Sequence, residues 1–243
     1  MLFEKYADDY ARLRPVYPDD LIGSLIARFK LKSNSLILDL ACGTGNLRRQ
    51  LQNTSDGNVL GLDRSLIMLA HCQKILSACS KAERLPVKSG LLDAVVVGQA
   101  FHWFDFKAAL DEINRCLKSG GGLAIIWYRR KKPLAGHRLK MSELVKRLNP
   151  DYKPSFMDYD WPEILISHSG FADIDKFAAE CVIKYSIADY LKLQRSKSYV
   201  GDAMSPEVLA RYFIEGGAIL SDEYPDGVVP EEMQFYYVSA IKA

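Results

Sequence analysis

Several features that would assign a chain to a specialised class are missing from these 243 residues. No apolar run approaches the roughly 20 residues that a helix needs to cross a bilayer, so no membrane span is expected. The amino end carries acids and tyrosines where a secretory leader needs an apolar stretch. Neither sign of charge dominates. The 32 basic and 30 acidic side chains leave a net charge of +2, which argues against a nucleic-acid partner. A basic run, Arg129-Arg130-Lys131-Lys132, reads as solvated surface. Cysteine pairs are lacking too. The five cysteines (Cys42, Cys72, Cys79, Cys116 and Cys181) are odd in number and scattered, with no Cys-x-x-Cys, and the four histidines are equally dispersed. That excludes a disulfide framework and a zinc site of familiar spacing, so no metal is expected and the cytoplasm is the natural compartment. There is no internal repeat, low-complexity tract or Pro/Ser-rich linker.

What is present is an ordinary globular balance, 49% apolar and 26% charged, arranged as strands alternating with helices. Asp19 and Asp20 precede apolar residues at helical spacing over 21–29, with acids where a helix N-terminus favours them. Leu36-Ile37-Leu38-Asp39-Leu40 is a short apolar run leading into a glycine-containing loop, the pattern of a buried parallel strand. A helix over 46–52 follows, with Asn46 as its cap. Asn58-Val59-Leu60-Gly61-Leu62-Asp63 reads as a second strand and residues 65–75 as its helix. Residues 92–98 form the clearest strand, rich in β-branched side chains. Residues 106–117 have helical spacing, Lys118-Ser119-Gly120-Gly121-Gly122 ends that helix, and 123–128 is another buried strand. Beyond Tyr128 the alternation weakens. A helix over 139–148, a strand within 172–183, a helix over 188–196 and a last strand over 234–241 are expected, with a lid inserted around 185–230. Alternation of this kind implies a mainly parallel sheet with helices on both faces.

The first chemical signal is Asp39-x-Ala41-x-Gly43-x-Gly45 at a strand-loop-helix junction. Glycines there let a ligand approach the backbone, and the helix N-terminus adds oriented N–H donors. A dinucleotide fingerprint needs a third glycine at position 48, where Arg48 stands. Asp39 also speaks against a pyrophosphate, which it would repel, and for a cationic group. The second signal is Asp63 at the end of the second strand. It suits ribose hydroxyls or, equally simply, the cap of the following helix.

The segment Ile37-Leu38-Asp39-Leu40-Ala41-Cys42-Gly43-Thr44-Gly45 resembles motif I of the class I S-adenosyl-methionine-dependent methyltransferases. Ala82-Glu83-Arg84-Leu85-Pro86, Leu92-Asp93-Ala94-Val95 and Glu112-Ile113-Asn114-Arg115-Cys116-Leu117-Lys118-Ser119-Gly120-Gly121 follow in order. These resemble the small-molecule branch called methyltransferase type 11. Gln99-Ala100-Phe101-His102-Trp103-Phe104 and Tyr10-Ala11-Arg12-Leu13-Arg14-Pro15-Val16-Tyr17-Pro18 are similar to a subset that includes trans-aconitate methyltransferase-like proteins. The resemblance covers residues 6–128 and little of the remainder.

It implies a Rossmann-like α/β fold with a mainly parallel seven-stranded sheet and a C-terminal lid insertion. The chain is then one methyltransferase domain: 1–34 as a cover, 35–128 as the cofactor-binding core, and 129–243 as C-terminal strands with the lid. It implies S-adenosyl-L-methionine as cofactor and a small-molecule methyl acceptor taking the methyl on oxygen or carbon, a carboxylate among the options. By the resemblance, Asp39, Ala41, Cys42, Gly43 and Gly45 line the methionine and ribose part, Asp63 holds the ribose hydroxyls and Arg64 lies beside adenine. Ala82 and Glu83 frame adenine, Gln99 lies under the methionine, and Tyr10 and Arg14 fold over the cofactor. Family members commonly have aspartate where Lys81 stands, and a lysine cannot accept the adenine amino hydrogen bond.

His102 follows the strongest strand, at the carboxyl edge where open α/β sheets bind ligands. An imidazole titrates near neutral pH, so His102 is the candidate base; packing on the cofactor is the alternative. Trp103 and Phe104 read as packing residues, Trp127 and Tyr128 as pocket lining or core. The cluster Tyr6, Tyr10 and Tyr17 reads as burying the N-terminal segment. Two rivals are a cofactor-binding homologue without catalysis, to which Lys81 gives room, and an NAD(P)-dependent oxidoreductase, against which Arg48 and Asp39 stand.

Overall fold

A computed structural model describes residues 7–55, 57–72, 76–131, 135–152 and 159–243. Residues 73–75, Tyr6 and Lys132 fall outside them, and the helix expected over 65–75 ends already at Ala70. Five short strands build the first part of the sheet: β1 (Leu36–Leu40), β2 (Asn58–Asp63), β3 (Ser77–Cys79), β4 (Leu92–Gly98) and β5 (Leu117–Arg130). Two more, β6 (Phe171–Ser186) and β7 (Val228–Lys242), complete the seven in the order β3-β2-β1-β4-β5-β7-β6. The pairs β1·β2, β1·β4, β2·β3 and β4·β5 are parallel. β7 runs against both neighbours. Lys131 N–H donates to the Glu232 carbonyl while Lys242 Nζ donates to the Leu117 carbonyl, and Phe177 stacks on Tyr237 while Ala243 N–H donates to the Gly170 carbonyl.

The helices of this part are α2 (Asp19–Arg28), α3 (Asn46–Ser55), α4 (Leu66–Ala70) and α5 (Phe106–Cys116), preceded in the chain by α1 (Ala7–Leu13). Parallel neighbours need crossovers, and crossovers are right-handed. From β1 the order grows one way through β2 and β3 and the other way through β4 and β5. The connections therefore fall on opposite faces, and the direction of winding reverses between β1 and β4. Open α/β sheets bind ligands at that reversal, beyond the carboxyl ends of the strands. The segments that emerge there are residues 41–45 and 99–103.

Two compact units are formed, one by Val16–Arg129, Met157–Glu180 and Gln234–Ala243, the other by Met1–Pro15, Arg130–Phe156 and Cys181–Met233. In the first, here called the sheet unit, β1 and β4 are apolar on both faces and wholly buried apart from their ends, which is why their runs read as continuous rather than alternating. Leu38, Val95, Val97, Leu123 and Ile125 meet Phe101, Ile113 and Trp161 in one core. α5 is capped by Asp105, whose side chain accepts from Ala108 N–H, and it buries Leu110 and Ile113. The Ala82–Pro86 stretch and α5 are joined directly. Glu112 Oε2 accepts Leu85 N–H at 2.8 Å, and Arg115 donates to the carbonyls of Val87 at 2.9 Å and Leu85 at 3.2 Å.

The second, helical unit contains α1, α6 (His137–Leu148), α8 (Ile187–Arg195), α9 (Ser198–Gly201) and α10 (Pro206–Glu223); α7 (Trp161–Ile166) belongs to the sheet unit. Its core gathers Met141, Leu144, Tyr190, Leu191, Tyr212 and Leu220. α1 is fastened to α8 by Arg12, which donates to both oxygens of Asp189, and by an ion pair of Asp9 with Arg195. Among the described residues no helix is long and apolar enough to cross a membrane.

Three expectations need correction. Asn46 is not a cap but the first residue of α3, and its side-chain oxygen accepts from Arg49. The helix of 106–117 stops at Cys116, and Lys118–Gly122 lies inside β5 rather than in a terminating loop. Arg130 is partly buried rather than surface: its Nε donates to Glu231 Oε2 at 2.6 Å, and Glu231 is only 2% exposed. A run of like charge looks solvated locally, but β5 pairs with β7 and carries Arg130 to a buried partner.

Candidate active site

The loop after β1 is held by its backbone. Ala41, Gly43 and Gly45 all have positive φ, at 59°, 55° and 79°. Glycine adopts this region freely, whereas at Ala41 it costs about 1–2 kcal/mol, a strain of the kind kept at functional sites. Cys42 N–H donates to the Leu62 carbonyl at 3.0 Å and Gly45 N–H to the Cys42 carbonyl at 2.8 Å. The Asp63 carboxylate bridges two loops: Oδ2 accepts Gly43 N–H and Oδ1 accepts Ser65 N–H, both at 2.8 Å. Ser65, not Asp63, caps α4 by accepting Met68 N–H. Each oxygen of Asp63 keeps a further lone pair for a hydroxyl donor.

Asp39 sits in the middle of β1 with Gly61 and Val96 as register partners, and it is 1% exposed. Its Oδ2 has no hydrogen-bond partner. Burial, followed by the nearby Cys72 thiol, holds its carboxyl well above the usual range; Arg48 opposes through its backbone N–H and its charge. Arg48 itself is buried where a dinucleotide fold would have its third glycine. The room for close helix–strand approach is found on β2 instead, where a Cβ at Gly61 would stand 2.9 Å from Cys42 Sγ and 3.4 Å from Arg48 Cδ. The Cys72 thiol donates to the Gly43 carbonyl at 3.1 Å and its sulfur accepts the Cys42 thiol, and that hydrogen bond together with burial pushes the Cys42 thiol up.

Beyond β4, Gln99 also has positive φ, 60°. Its N–H donates to the Ile126 carbonyl at 3.0 Å, and its side-chain Nε2 is buried without a partner. Phe101–Trp103 form one 3-10 turn, which leaves His102 partly buried. The imidazole lies 5.1 Å from Trp127 and 4.6 Å from Trp103, ring centre to ring centre, and its Nδ1 is buried without a partner. Burial lowers its pKa, so the ring is neutral near pH 7. Trp103 is 58% exposed, contrary to its reading as a packing residue, while Phe104 packs partly buried on the core. Trp127 and Trp161 extend the aromatic wall at 5.6 Å.

Asp39, the 41–45 loop, Asp63, Gln99 and His102 thus collect at the carboxyl ends of β1, β2 and β4. Ala82 is buried, and Glu83 is occupied in accepting Asp105 N–H at 3.1 Å. Arg64 and Lys81 are exposed. Tyr17 is buried edge-on to Tyr128 and Phe235, and its backbone is clamped by Gln50. Tyr10 and Arg14 belong to the helical unit, and the Tyr10 side chain lies outside the described residues. Sequence reasoning passed over Thr44, which is 1% exposed with an unpartnered Oγ1, and Cys72. Thr44 was legible as a hydroxyl inside the glycine loop, whereas nothing local marks Cys72.

A positively charged ligand with hydroxyls fits this set. The glycine loop leaves its backbone open, Asp39 offers a buried unfilled acceptor, and Asp63 has spare lone pairs. The family model named "Methyltransferase domain" matches residues 38–125, the stretch that carries these groups. An uncharacterised methyltransferase of Schizosaccharomyces pombe is 30% identical over 196 residues, covering 79% of this chain and 76% of the relative. Among solved structures, a provisionally assigned type II methyltransferase from Anaeromyxobacter dehalogenans superposes with a TM-score of 0.66 at 18% identity, covering 94% of this chain and 97% of that one. Phosphoethanolamine N-methyltransferase 2 of Haemonchus contortus, solved with phosphomonomethylethanolamine and S-adenosylhomocysteine, gives 0.55 at 18% identity over 99% of this chain and 59% of its own. Such identities speak to the fold alone. The S. pombe relative and the family model, with the loop geometry, show that the chain belongs to the class I S-adenosyl-methionine-dependent methyltransferases.

Proposed function

We propose that the chain methylates a small molecule on oxygen or carbon, acting as one methyltransferase domain in the cytoplasm. The observation that carries the reading is the set of buried polar atoms without partners at the reversal point of the sheet: Asp39 Oδ2, Gln99 Nε2 and His102 Nδ1. Buried polar groups are nearly always satisfied, so three at one sheet edge call for a ligand. Asp39, Ala41, Cys42, Gly43 and Gly45 would hold the methionine and ribose part, and Asp63 the ribose hydroxyls. Arg64, Ala82 and Glu83 would border adenine, the last two through backbone groups, and Gln99 would lie under the methionine. Lys81, exposed, is free to turn into solvent, which leaves adenine to the backbone.

The bound sulfonium supplies an activated methyl group, so the chain's own task is to orient the acceptor in line and exclude water. The aromatic wall of Trp127 and Trp161 serves the second purpose. His102 would serve the first and, for a hydroxyl or carbon acid, take the proton at Nδ1 in its neutral form; a carboxylate acceptor needs no base. Calorimetric titration with S-adenosyl-methionine, S-adenosyl-homocysteine and NADH, followed by turnover on a panel of small oxygen and carbon acids, tests the reading. Saturable binding of the adenosyl compounds, weakened in Asp39→Ala and Asp63→Ala, with methylation of a panel member, is expected. Methylation confined to protein, nucleic acid or amines would overturn it.

A further inference from the structure

The helical unit contains a polar cluster that the cofactor chemistry does not use. Arg130, on β5, donates from Nε to Glu231 at 2.6 Å and from a terminal nitrogen to Gln194 Oε1, also at 2.6 Å. Lys197 Nζ donates to the same Gln194 oxygen at 2.7 Å. Glu231 is further occupied by His137 Nε2 at 3.2 Å, and His137 in turn meets the Tyr224 hydroxyl at 2.7 Å. Lys197 forms no ion pair among the described residues, and its surroundings are cationic. Burial first, then the charges of Arg130 and Arg14, hold its pKa well below the ordinary lysine value, with Glu231 the only group opposing them.

The unfilled capacity of the cluster includes donors on three side chains. The Lys197 amine spends one donor on Gln194. Gln194 is 4% exposed, and its Nε2 finds no acceptor. Tyr190 is 0% exposed, and its hydroxyl has no partner. Burial keeps the Tyr190 phenol protonated at neutral pH, and burial likewise pushes the neighbouring Tyr199 up to about 12. Tyr152 and Tyr199 pack with their rings tilted, 4.6 Å between centres. Lys197, Arg130 and Tyr199 nevertheless keep some accessible surface. Donors without acceptors beside an excess of positive charge are costly unless something acceptor-rich and negative completes them.

We infer that Lys197, Arg130, Gln194 and Tyr190 form a binding site for the anionic group, carboxylate or phosphate, of a small molecule. The Arg130 guanidinium supplies the standing charge, a bound anion would hold the proton on the Lys197 amine, and the amide and phenol fix the orientation beside the tyrosine pair.

The test uses the full chain with two probes, succinate and inorganic phosphate, each titrated calorimetrically against chloride at equal ionic strength. Lys197→Met, Tyr190→Phe and, as an exposed control, Lys146→Met accompany the wild type. Saturable binding of at least one probe is expected, the stronger of the two telling carboxylate from phosphate. Lys197→Met should weaken it about 10-fold or more and Tyr190→Phe about 3–10-fold. Lys146→Met should leave it unchanged, and S-adenosyl-homocysteine affinity should be unchanged in all three. Lys197→Met removes the amine and keeps a side chain of similar length. Tyr190→Phe deletes only one oxygen and covers the case in which the first variant does not fold. No saturable binding by the wild type, or equal affinity in Tyr190→Phe and Lys197→Met, overturns the site. Turnover on an uncharged acceptor with no anion binding sinks this inference alone. Anion binding without turnover on any small acceptor supports the site and sinks the small-molecule reading of the function.

Discussion

Asp39 buries a carboxyl whose Oδ2 the folded chain alone leaves without a partner. Replacing it with asparagine keeps the shape and the acceptor for Arg48 N–H and removes the charge. An unsatisfied buried polar group costs about 1–3 kcal/mol and a charged one more. The new amide N–H2 also lacks a partner, so the net gain is set at about 1 kcal/mol or more, the low end of that range. For a chain of this size that raises Tm by about 2–4 °C. The sign follows from the raised pKa. In the unfolded chain the carboxyl ionises near the ordinary aspartate value of about 3.9, whereas the fold holds on to the proton to higher pH. Between those two values the native state binds more protons, and stability falls as pH rises. The advantage of Asp39→Asn is therefore small at pH 5 and larger at pH 8.5. Cofactor affinity moves the other way: loss of a charge-assisted contact worth about 1.5–3 kcal/mol weakens binding about 10- to 150-fold. Thermal melts of the unliganded protein at both pH values, with calorimetry of S-adenosyl-homocysteine, check both halves. A variant that melts lower at pH 8.5, or binds as tightly as wild type, refutes the assignment of Asp39 as an unpaired carboxyl kept for a ligand.

His102→Ala is expected to cut turnover on a hydroxyl or carbon acceptor by about 10²–10⁴ while cofactor affinity stays within a few-fold; equal loss of both would mean that the ring only packs. Because burial lowers the imidazole pKa, wild-type kcat should rise with pH through a value below about 6.5 and be flat above pH 7. Gly61→Ala puts a methyl 2.9 Å from Cys42 Sγ and should cost about 1–3 kcal/mol as overpacking; Cys42→Ala in the same chain should recover most of it in denaturant titrations. Asp63→Ala leaves Gly43 N–H and Ser65 N–H without acceptors, at about 1–3 kcal/mol each if they stay dry, and should lower Tm even without cofactor.

How much of this was readable from residue order follows the range of each interaction. β1, β2 and β4 are short apolar runs with local borders, and they were legible to the residue. β3 was not, because Ser77–Cys79 has no apolar run and exists only by pairing with β2. α10 was readable and overlooked: Ser205-Pro206-Glu207 is an N-cap followed by proline in the first turn, inside a segment treated as an undivided lid. At the site, glycines and carboxylates near β1 announced themselves because their spacing is local. Cys72 and the buried Glu231 partner of Arg130 did not, since each depends on which distant strand or loop the topology brings near.

The same distinction explains why the two units differ in what they yield. In the sheet unit, unsatisfied atoms fall inside a motif, so motif and geometry both point to one cofactor. In the helical unit no motif exists, and only the count of donors against acceptors marks Arg130, Gln194 and Lys197 as more than structure. A chain that buries Lys197 beside Arg130 accepts a standing electrostatic cost, which replacement by apolar side chains would remove. Packing alone gives no reason to retain it, whereas selecting an anionic molecule over neutral ones of similar shape does. The burden of specificity then rests on side chains that are far apart in sequence, while methyl-donor binding rests on a loop of a few consecutive residues.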